Sequence, residues 1–438
     1  MILSMRLGSL LKANRLPLLL ASFGIAARIV IVVFSGNHVT GPLSGGSDAP
    51  QYILLGHNLY FGKGFSYVGQ PSAFRPPLYP LFLAGAQMAI GKNYLFGIRV
   101  LQLLAGILVA WICGRIAREI WGKGAAKWCF GLVLVFPTLT YLTGEILTET
   151  FASLMTTLFL FFLVRTRNDL TSEHVSLGIT SGIAALLRFN MVFLPLIAAW
   201  RILTVNKTGK WQKVLAVTII PFCIVLPWIT RNLVVFHGEV IYSTHTGMDL
   251  VEGFLEPEGR ADAAQQQEIV HEAGWAMQGL ERDDYKRLFY PSEPMLNRQA
   301  TSAALRLWRN AGWRGPRVIA EKLGCFWLST DQLVSIDKFS FRTRLLRISG
   351  VVFYWVSFAM AAAGTRKLLR VDSRLAWTLI LYVIVATGLH LAFAMNTRLR
   401  VPLVDPLICI LAVFPFLSAK VESASSVRLI NTVPVKQQ

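Results

Sequence analysis

The sequence predicts an all-α polytopic membrane protein: a bundle of about ten transmembrane helices, juxtamembrane helices in the first outer loop, and one long extramembrane insert. Three observations predict it. Hydrophobic residues fill 54% of the 438 positions and charged residues only 15%, with a mean hydropathy of +0.51, outside the range of soluble domains. Apolar runs near the length that crosses a bilayer recur along the chain. Basic residues gather in alternate loops, the positive-inside pattern of a membrane protein.

In order, the apolar runs are 17–34, 94–116, 125–141, 146–164, 175–187, 191–203, 214–229, 349–363, 375–394 and 399–417. The first is too long for a signal peptide and lacks a small-residue cleavage pattern, so it reads as a retained span. Lys12 and Arg15, then Arg115, Arg118, Lys123 and Lys127, then Arg165 and Arg167, then Lys207, Lys210 and Lys213, then Arg366, Lys367, Arg370 and Arg374 mark the cytoplasmic loops. The net charge of +19 is therefore a matter of topology, and no nucleic-acid partner is expected. Residues 35–93, 142–148, 188–190 and 231–347, with a turn at 396–400, fall on the outer side. That count holds only if the apolar stretch 76–90, opened by a Pro-Pro pair suited to a helix start, lies along the outer surface.

These runs divide the chain into an amino-terminal membrane block (1–230), an outer insert (231–347), carboxy-terminal spans (348–418) and a cytoplasmic tail (419–438). The insert holds a β-prone piece at 239–244 and a helical stretch in which Leu296, Ala300, Ala303, Ala304 and Leu307 share one face. It is too long for a simple loop and should fold as a cap on the membrane core. Four cysteines, Cys113, Cys129, Cys223 and Cys409, lie in apolar spans and Cys325 in the outer region, which leaves no disulfide framework. No zinc-type Cys/His spacing and no Gly-rich nucleotide loop occurs, so no cofactor is expected and a divalent metal has no motif behind it.

The outer ends of the spans collect a consistent set of charges. Asp48 and Arg75 come from the first loop. Glu145 and Glu149, four apart, would share a helical face; Arg188, Arg231, Arg398 and Arg400 follow later. Acids and bases converging on one side of a helical bundle suit an anionic, lipid-soluble substrate, its phosphate held by bidentate arginines and a carboxylate left as base. Each residue also has a plainer reading. Arg398 and Arg400 can snorkel to the interface, Arg188 and Arg231 can cap helix carbonyls, and Glu145 can be a solvated acid at a helix start. Asp48 can cap the helix beginning near Pro50. His57, His237 and His245 read as surface or packing residues. Glu149 lies a turn deeper, where an unpaired acid costs more, and so reads as functional.

The run GGSDAPQY, followed by NLYFGKGFSYVGQPSAFRPPLYPLFLAG, resembles the first outer loop of bacterial glycosyltransferases of the GT-C superfamily. It is most similar to the branch of protein O-mannosyltransferases and lipid A aminoarabinose transferases (glycosyltransferase family 39). The resemblance continues through ILTETF, SGIAALLRFNMVFLPL and LPWITRNLVVFHGEVIYSTHTGMDLVEG, and returns at NTRLRVPLVDPLICILA. Five motifs in register cover most of the membrane core, while residues from about 256 to 340 match nothing.

The resemblance implies an enzyme that takes a sugar from a polyprenyl-phosphate carrier and passes it to a glycan, lipid or protein hydroxyl. This would happen on the periplasmic face of a bacterial inner membrane. It places Asp48 at the first-loop acid, a base or acceptor-orienting group, and Glu149 at the second-loop acid. Arg75 and Tyr79 fall in the surface helix that lines the cavity, and Arg398 and Arg400 in a late Arg-x-Arg-x-Pro pattern that meets the carrier phosphate. The absence of a second acid beside Asp48 departs from some relatives and favours a metal-free mechanism, and direct attack by the acceptor would invert the anomeric centre. Two other readings share the charge pattern: a transporter or flippase of a lipid-linked or anionic solute, and a glycan ligase or polymerase using a pyrophosphate-linked donor.

Overall fold

The computed structural model describes residues 15–39, 48–67, 69–166, 171–205, 208–255, 293–330, 341–393, 395 and 397–416. The tail at 419–438 and the middle of the insert lie outside the described residues. So do Lys12, Arg167 and Lys207. The expected helical membrane protein is what forms. Its helices are α1 (Arg15–Ser35), α2 (Ala49–Tyr60), α3 (Leu78–Ile90) and α4 (Tyr94–Trp121), then α5 (Lys123–Val135), α6 (Pro137–Tyr141), α7 (Glu149–Arg165) and α8 (Thr171–Leu187). They continue as α9 (Leu194–Val205), α10 (Lys210–Val235), α11 (Thr246–Leu255), α12 (Glu293–Arg309) and α13 (Arg314–Leu323). The last are α14 (Phe341–Val371), α15 (Ser373–Ala392), α16 (Thr397–Arg400) and α17 (Asp405–Ala412). The strands described are a two-residue hairpin, β1 (Ser66–Tyr67) against β2 (Gln70–Pro71), with Ser66 opposite Pro71.

Five of the described helical segments are long and apolar enough to span a bilayer: Arg15–Ser35, Leu78–Trp121, Lys210–Val235, Thr343–Val371 and Ser373–Ala392. Several of the expected spans are shorter or broken, and the breaks have identifiable causes. The run 125–141 ends as a helix at Val135 because Pro137 has no N–H for the carbonyl of Val133, and Phe136 turns to an extended conformation (ψ 117°). The orphaned carbonyls find side chains instead: Arg28 Nη2 donates to Val133 O at 3.2 Å and Thr140 Oγ1 to Leu134 O at 2.9 Å. The run 146–164 becomes helical only at Glu149. Arg99 Nε donates to Gly144 O at 2.6 Å, and Gln102 Nε2 donates to Thr143 O at 3.0 Å and Glu145 O at 2.7 Å, holding the preceding turn out of the helix. The run 399–417 is likewise interrupted between α16 and α17.

The stretch 76–90 becomes α3, which packs on α2 and does not run straight into α4. Gly91 sits at φ 71°, a conformation that favours glycine, followed by a short 3₁₀ turn. The β-prone stretch 239–244 forms no strand; Thr244 N donates to Ala73 O at 3.1 Å and Tyr242 O accepts from Trp228 Nε1 at 2.9 Å. The insert helix expected at 296–307 is α12, and its buried Ala300, Ala303 and Ala304 pack against Val251 of α11. The edges placed at 231 and 347 lie inside the last turns of α10 and the first turns of α14. All five cysteines are free thiols.

The apolar centre draws on α4, α5, α7, α9, α15 and α17, with Phe159, Leu163, Ile197, Tyr382 and Leu411 fully or nearly fully buried. Small residues set the closest crossings. A Cβ on Gly24 would sit 2.5 Å from Leu134 O, between α1 and α5. One on Gly364 would fall inside the contact radius of Leu411 O, between α14 and α17. By contrast, a Cβ on Gly388 in α15 meets nothing within 4 Å.

Gly364→Ala should therefore cost on the order of 1–3 kcal/mol by overpacking, whereas Gly388→Ala should be neutral or stabilising by up to about 1 kcal/mol. Thermal unfolding of the purified protein in detergent checks this; equal melting temperatures for the two variants would mean that α14 and α17 do not approach so closely.

Candidate active site

Four separate stretches deliver charge to one place. Asp48 directly precedes α2, but its carboxylate makes no capping bond to that helix. Its backbone carbonyl serves the helix start, accepting from Gln51 N at 3.1 Å and Tyr52 N at 3.2 Å, which leaves the side chain free to turn outward. Arg75 stands before the Pro76-Pro77 pair that opens α3. Glu149 begins α7, where the helix dipole favours an acid. Arg188 ends α8 in an extended conformation (φ −148°, ψ 127°) that carries its side chain away from the helix axis. Arg398 lies on α16.

These five residues form one ion cluster. Arg75 Nη2 donates to Asp48 Oδ1 at 2.6 Å, and Gln51 Oε1 accepts from Arg75 Nε at 2.8 Å and from its Nη2 at 2.6 Å. Arg398 spans both acids: its Nε donates to Glu149 Oε1 at 2.6 Å and its Nη2 to Asp48 Oδ2. Arg188 Nη1 reaches the same Glu149 Oε1 at 3.0 Å and Thr148 Oγ1 at 3.1 Å. Three guanidinium groups thus face two carboxylates, with one positive charge in excess. The Glu149 side chain is 1% exposed, and its Oε2 has no hydrogen-bond partner among the described residues. Arg75 is sandwiched between the rings of Tyr52 (5.4 Å) and Phe74 (5.0 Å). Burial works against the charge on Asp48, but Arg75 and Arg398 outweigh it and hold the carboxyl well below its ordinary range.

The other residues expected at the site take different places. Tyr79 is buried one layer back, donating to Gln102 Oε1 at 3.1 Å and meeting Tyr52 edge-on at 5.2 Å. Glu145 does not share a helix face with Glu149, because it belongs to the turn that Arg99 and Gln102 hold open; its side chain is buried. Arg231, expected to hold phosphate, instead donates to Ser72 O at 2.7 Å and Phe65 O at 2.9 Å, its guanidinium among the rings of Phe65, Trp228 and Phe236. Arg400, assigned the same role, is fully buried. It pairs with Asp405 at 2.8 Å, donates to Phe326 O at 2.6 Å and Ser329 Oγ at 3.0 Å, and lies over the Tyr354 ring. Both tie backbone segments together.

Sequence reasoning also missed residues. Gln51 and Thr148 gave no signal. Arg28 and Arg99 did: lone arginines inside apolar runs need partners. His245, expected as a surface or packing residue, lies against Phe74 with ring centroids 4.0 Å apart, and its Nε2 is 3.3 Å from Asp249 Oδ1. Burial pushes the Asp249 carboxyl up to about 7 and His245 well below its ordinary value, with Arg75 adding to the latter. His245, Asp249 and Glu252 offer ligand atoms within 4.8 Å of one another, and an imidazole with two carboxylates is a donor set that a first-row divalent ion accepts. Glu293, at the start of α12, accepts from Ala73 N at 2.9 Å and Thr244 Oγ1 at 2.7 Å, and so fastens the Arg75 loop to the insert.

Comparison with known proteins agrees with this architecture. The family profile described as dolichyl-phosphate-mannose-protein mannosyltransferase matches residues 74–230. No curated protein sequence matches the chain. Among solved structures, the oligosaccharyltransferase AglB from Archaeoglobus fulgidus, in complex with an inhibitory peptide and a dolichol-phosphate, shares 14% identity at a TM-score of 0.51, over 95% of this chain and 52% of that one. Its apo form gives a TM-score of 0.52 at 14% identity, with 95% and 52% covered. The chain thus spans about half the length of the archaeal enzyme. ArnT from Cupriavidus metallidurans bound to undecaprenyl phosphate aligns at 15% identity and a TM-score of 0.43, over 97% of this chain and 81% of that one. The fold is shared with the archaeal enzyme over most of this chain, in keeping with the type of helical bundle that the sequence resemblance implied.

Glu293 provides a pH test of the link between loop and insert. Burial raises its carboxyl above 4.5, against the pull of its bonds to Ser72, Thr244 and Ala73 N. A raised carboxyl contributes stability that is complete below the unfolded value and is lost as pH rises through the folded one. Against Glu293→Gln, the wild type should therefore lose relative melting temperature as pH climbs from about 4.5. A constant gap from pH 4 to 8 would show that Glu293 is not buried in this way.

Proposed function

We propose that this protein is a glycosyltransferase of the bacterial inner membrane, moving a sugar from a polyprenyl-phosphate carrier to a hydroxyl acceptor at the periplasmic face, with inversion. The observation that supports it best is the cluster itself, two acids bridged by Arg398 with a surplus guanidinium charge in a largely buried setting. A phosphate leaving group needs its developing charge stabilised, and preorganised arginines out of bulk water do this strongly. In this reading Arg75, Arg188 and Arg398 hold the phosphate. The acceptor hydroxyl attacks the anomeric carbon, the bond from that carbon to the phosphate oxygen breaks, and Asp48 takes the hydroxyl proton. Glu149 fixes Arg188 and Arg398 in place.

The family of the matched profile, dolichyl-phosphate-mannose-protein mannosyltransferase, and the dolichol-phosphate held by the archaeal structure both fit such a donor. Direct attack by the acceptor hydroxyl, with no carboxylate acting as nucleophile, inverts the anomeric centre. Tyr79, Glu145, Arg231 and Arg400 then act as walls and ties. The insert, 231–347, is the element to select the acceptor, and the His245 group offers a place for a divalent ion without being needed for this step.

The test is transfer by purified protein in nanodiscs, with synthetic polyprenyl-phosphate sugars as donors and free polyprenyl phosphate as readout. Asp48→Asn should lower turnover by about 10² to 10⁴ while donor still binds, the usual range for a general base. Retained configuration in the product would rule out direct attack. No turnover with any donor, even with membrane extracts as acceptor, would shift the reading to transport. A second comparison separates ligands from ties. Arg188→Gln should raise the donor KM, whereas Arg231→Gln should lower the melting temperature and leave KM near wild type; the reverse pattern would exchange their roles.

A further inference from the structure

Both oxygens of Asp48 are engaged, Oδ1 by Arg75 and Oδ2 by Arg398. A carboxylate with a guanidinium on each oxygen is a poor proton acceptor, so the cluster as it stands holds its base in check. The same arms of Arg398 that a phosphate would use are occupied by Asp48 and Glu149. We propose that Arg398 is an exchange residue: the carrier phosphate displaces Asp48 Oδ2 from it, so that donor binding frees the base and must precede activation of the acceptor. This rests on the polyprenyl-phosphate reading above.

Three features favour Arg398 for this role over its neighbours. It is the most exposed of the three arginines, at 32% against 12% for Arg75 and 10% for Arg188. Its helix is anchored two residues on by the fully buried Arg400–Asp405 pair, so the exchange is a side-chain movement on a fixed backbone. The partner it leaves stays held, since Asp48 keeps Arg75 at 2.6 Å on Oδ1, while Glu149 keeps both Arg188 and the Nε of Arg398. Asp48 therefore remains oriented while Oδ2 becomes available to the acceptor hydroxyl. Arg398 is in this sense a positioning residue for the base as well as a ligand of the phosphate.

A double-mutant cycle on binding of short-chain polyprenyl phosphate in nanodiscs tests the exchange. Asp48→Asn removes the internal competitor and should tighten binding on the order of tenfold. In an Arg398→Gln background the same substitution should bring no gain, and Arg398→Lys, which keeps the charge but not the fork, should give an intermediate one. A gain of equal size in both backgrounds is plain charge repulsion and overturns the exchange. An unchanged or weaker affinity of Asp48→Asn overturns it too. Melting temperatures confirm that each variant is folded. If the wild type and every folded variant fail to bind polyprenyl phosphate, the carrier reading itself falls, and the exchange with it.

Discussion

A charged side chain buried in a helical membrane protein needs a partner, another charge or a backbone carbonyl, and here one guanidinium answers two acids. Arg398 joins Asp48, 350 residues earlier, to Glu149, 249 residues earlier. The first loop, the head of α7 and the short α16 thereby have a common point. Such a cluster adds little net stability, because desolvation offsets most of the Coulomb gain. Its weight lies in what happens when one member is missing, for the remaining charges are then buried without compensation. Three polypeptide segments with few apolar reasons to meet are in this way fixed relative to one another.

Bringing helix ends to such a point requires helices that stop within the bundle, and each stop exposes carbonyls. The arginines divide along this line. Arg28, Arg99, Arg231 and Arg400 each donate to backbone oxygens where a helix or loop has run out of its own donors. Arg99 alone serves Gly36 O at 3.1 Å, His38 O at 2.7 Å and Gly144 O at 2.6 Å, closing the end of α1 onto the turn before α7. Arg400, through Asp405, is coupled to α6, because Thr138 Oγ1 donates to the other Asp405 oxygen at 2.7 Å. Arg75, Arg188 and Arg398 face carboxylates instead. The residue type was common to both groups; the local state of the backbone separates them.

That separation marks the limit of legibility. Hydropathy and charge alternation were enough for the helical membrane class, and the unpaired acids and arginines of the outer ends pointed to Asp48, Arg75, Glu149, Arg188 and Arg398, all of which meet. Arg231 and Arg400 lie apart from that cluster, because the carbonyls that claim them arise from tertiary breaks that no local pattern encodes. Glu145 and Glu149 have helical spacing, yet the helix starts only at Glu149, since Gln102 and Arg99 on α4 take carbonyls that a longer α7 would have used. His245 and Asp249 sit four apart at the start of α11, and only the fold brings that helix against Phe74 and Arg75.

The distribution of those ties also bears on what the cluster is for. A carrier that alternates access must slide or rock helices past one another, with sites that form and dissolve at both faces. Here, moving α1 against α5 and α6 would break the bonds of Arg28 to Val133 O, Leu139 O and Thr143 Oγ1. Moving α16 would strip Arg400 from Phe326 O and Asp405. Each buried group left unpaired costs about 1–3 kcal/mol, and more where charged, and these costs fall together because the ties share helices. A scaffold locked in this way is poorly suited to rocking and well suited to holding dipoles and charges still while a bond breaks, since catalysis by preorganised electrostatics depends on groups that do not have to reorganise. The exchange proposed for Arg398, the most exposed arginine of the cluster, needs no movement of that scaffold.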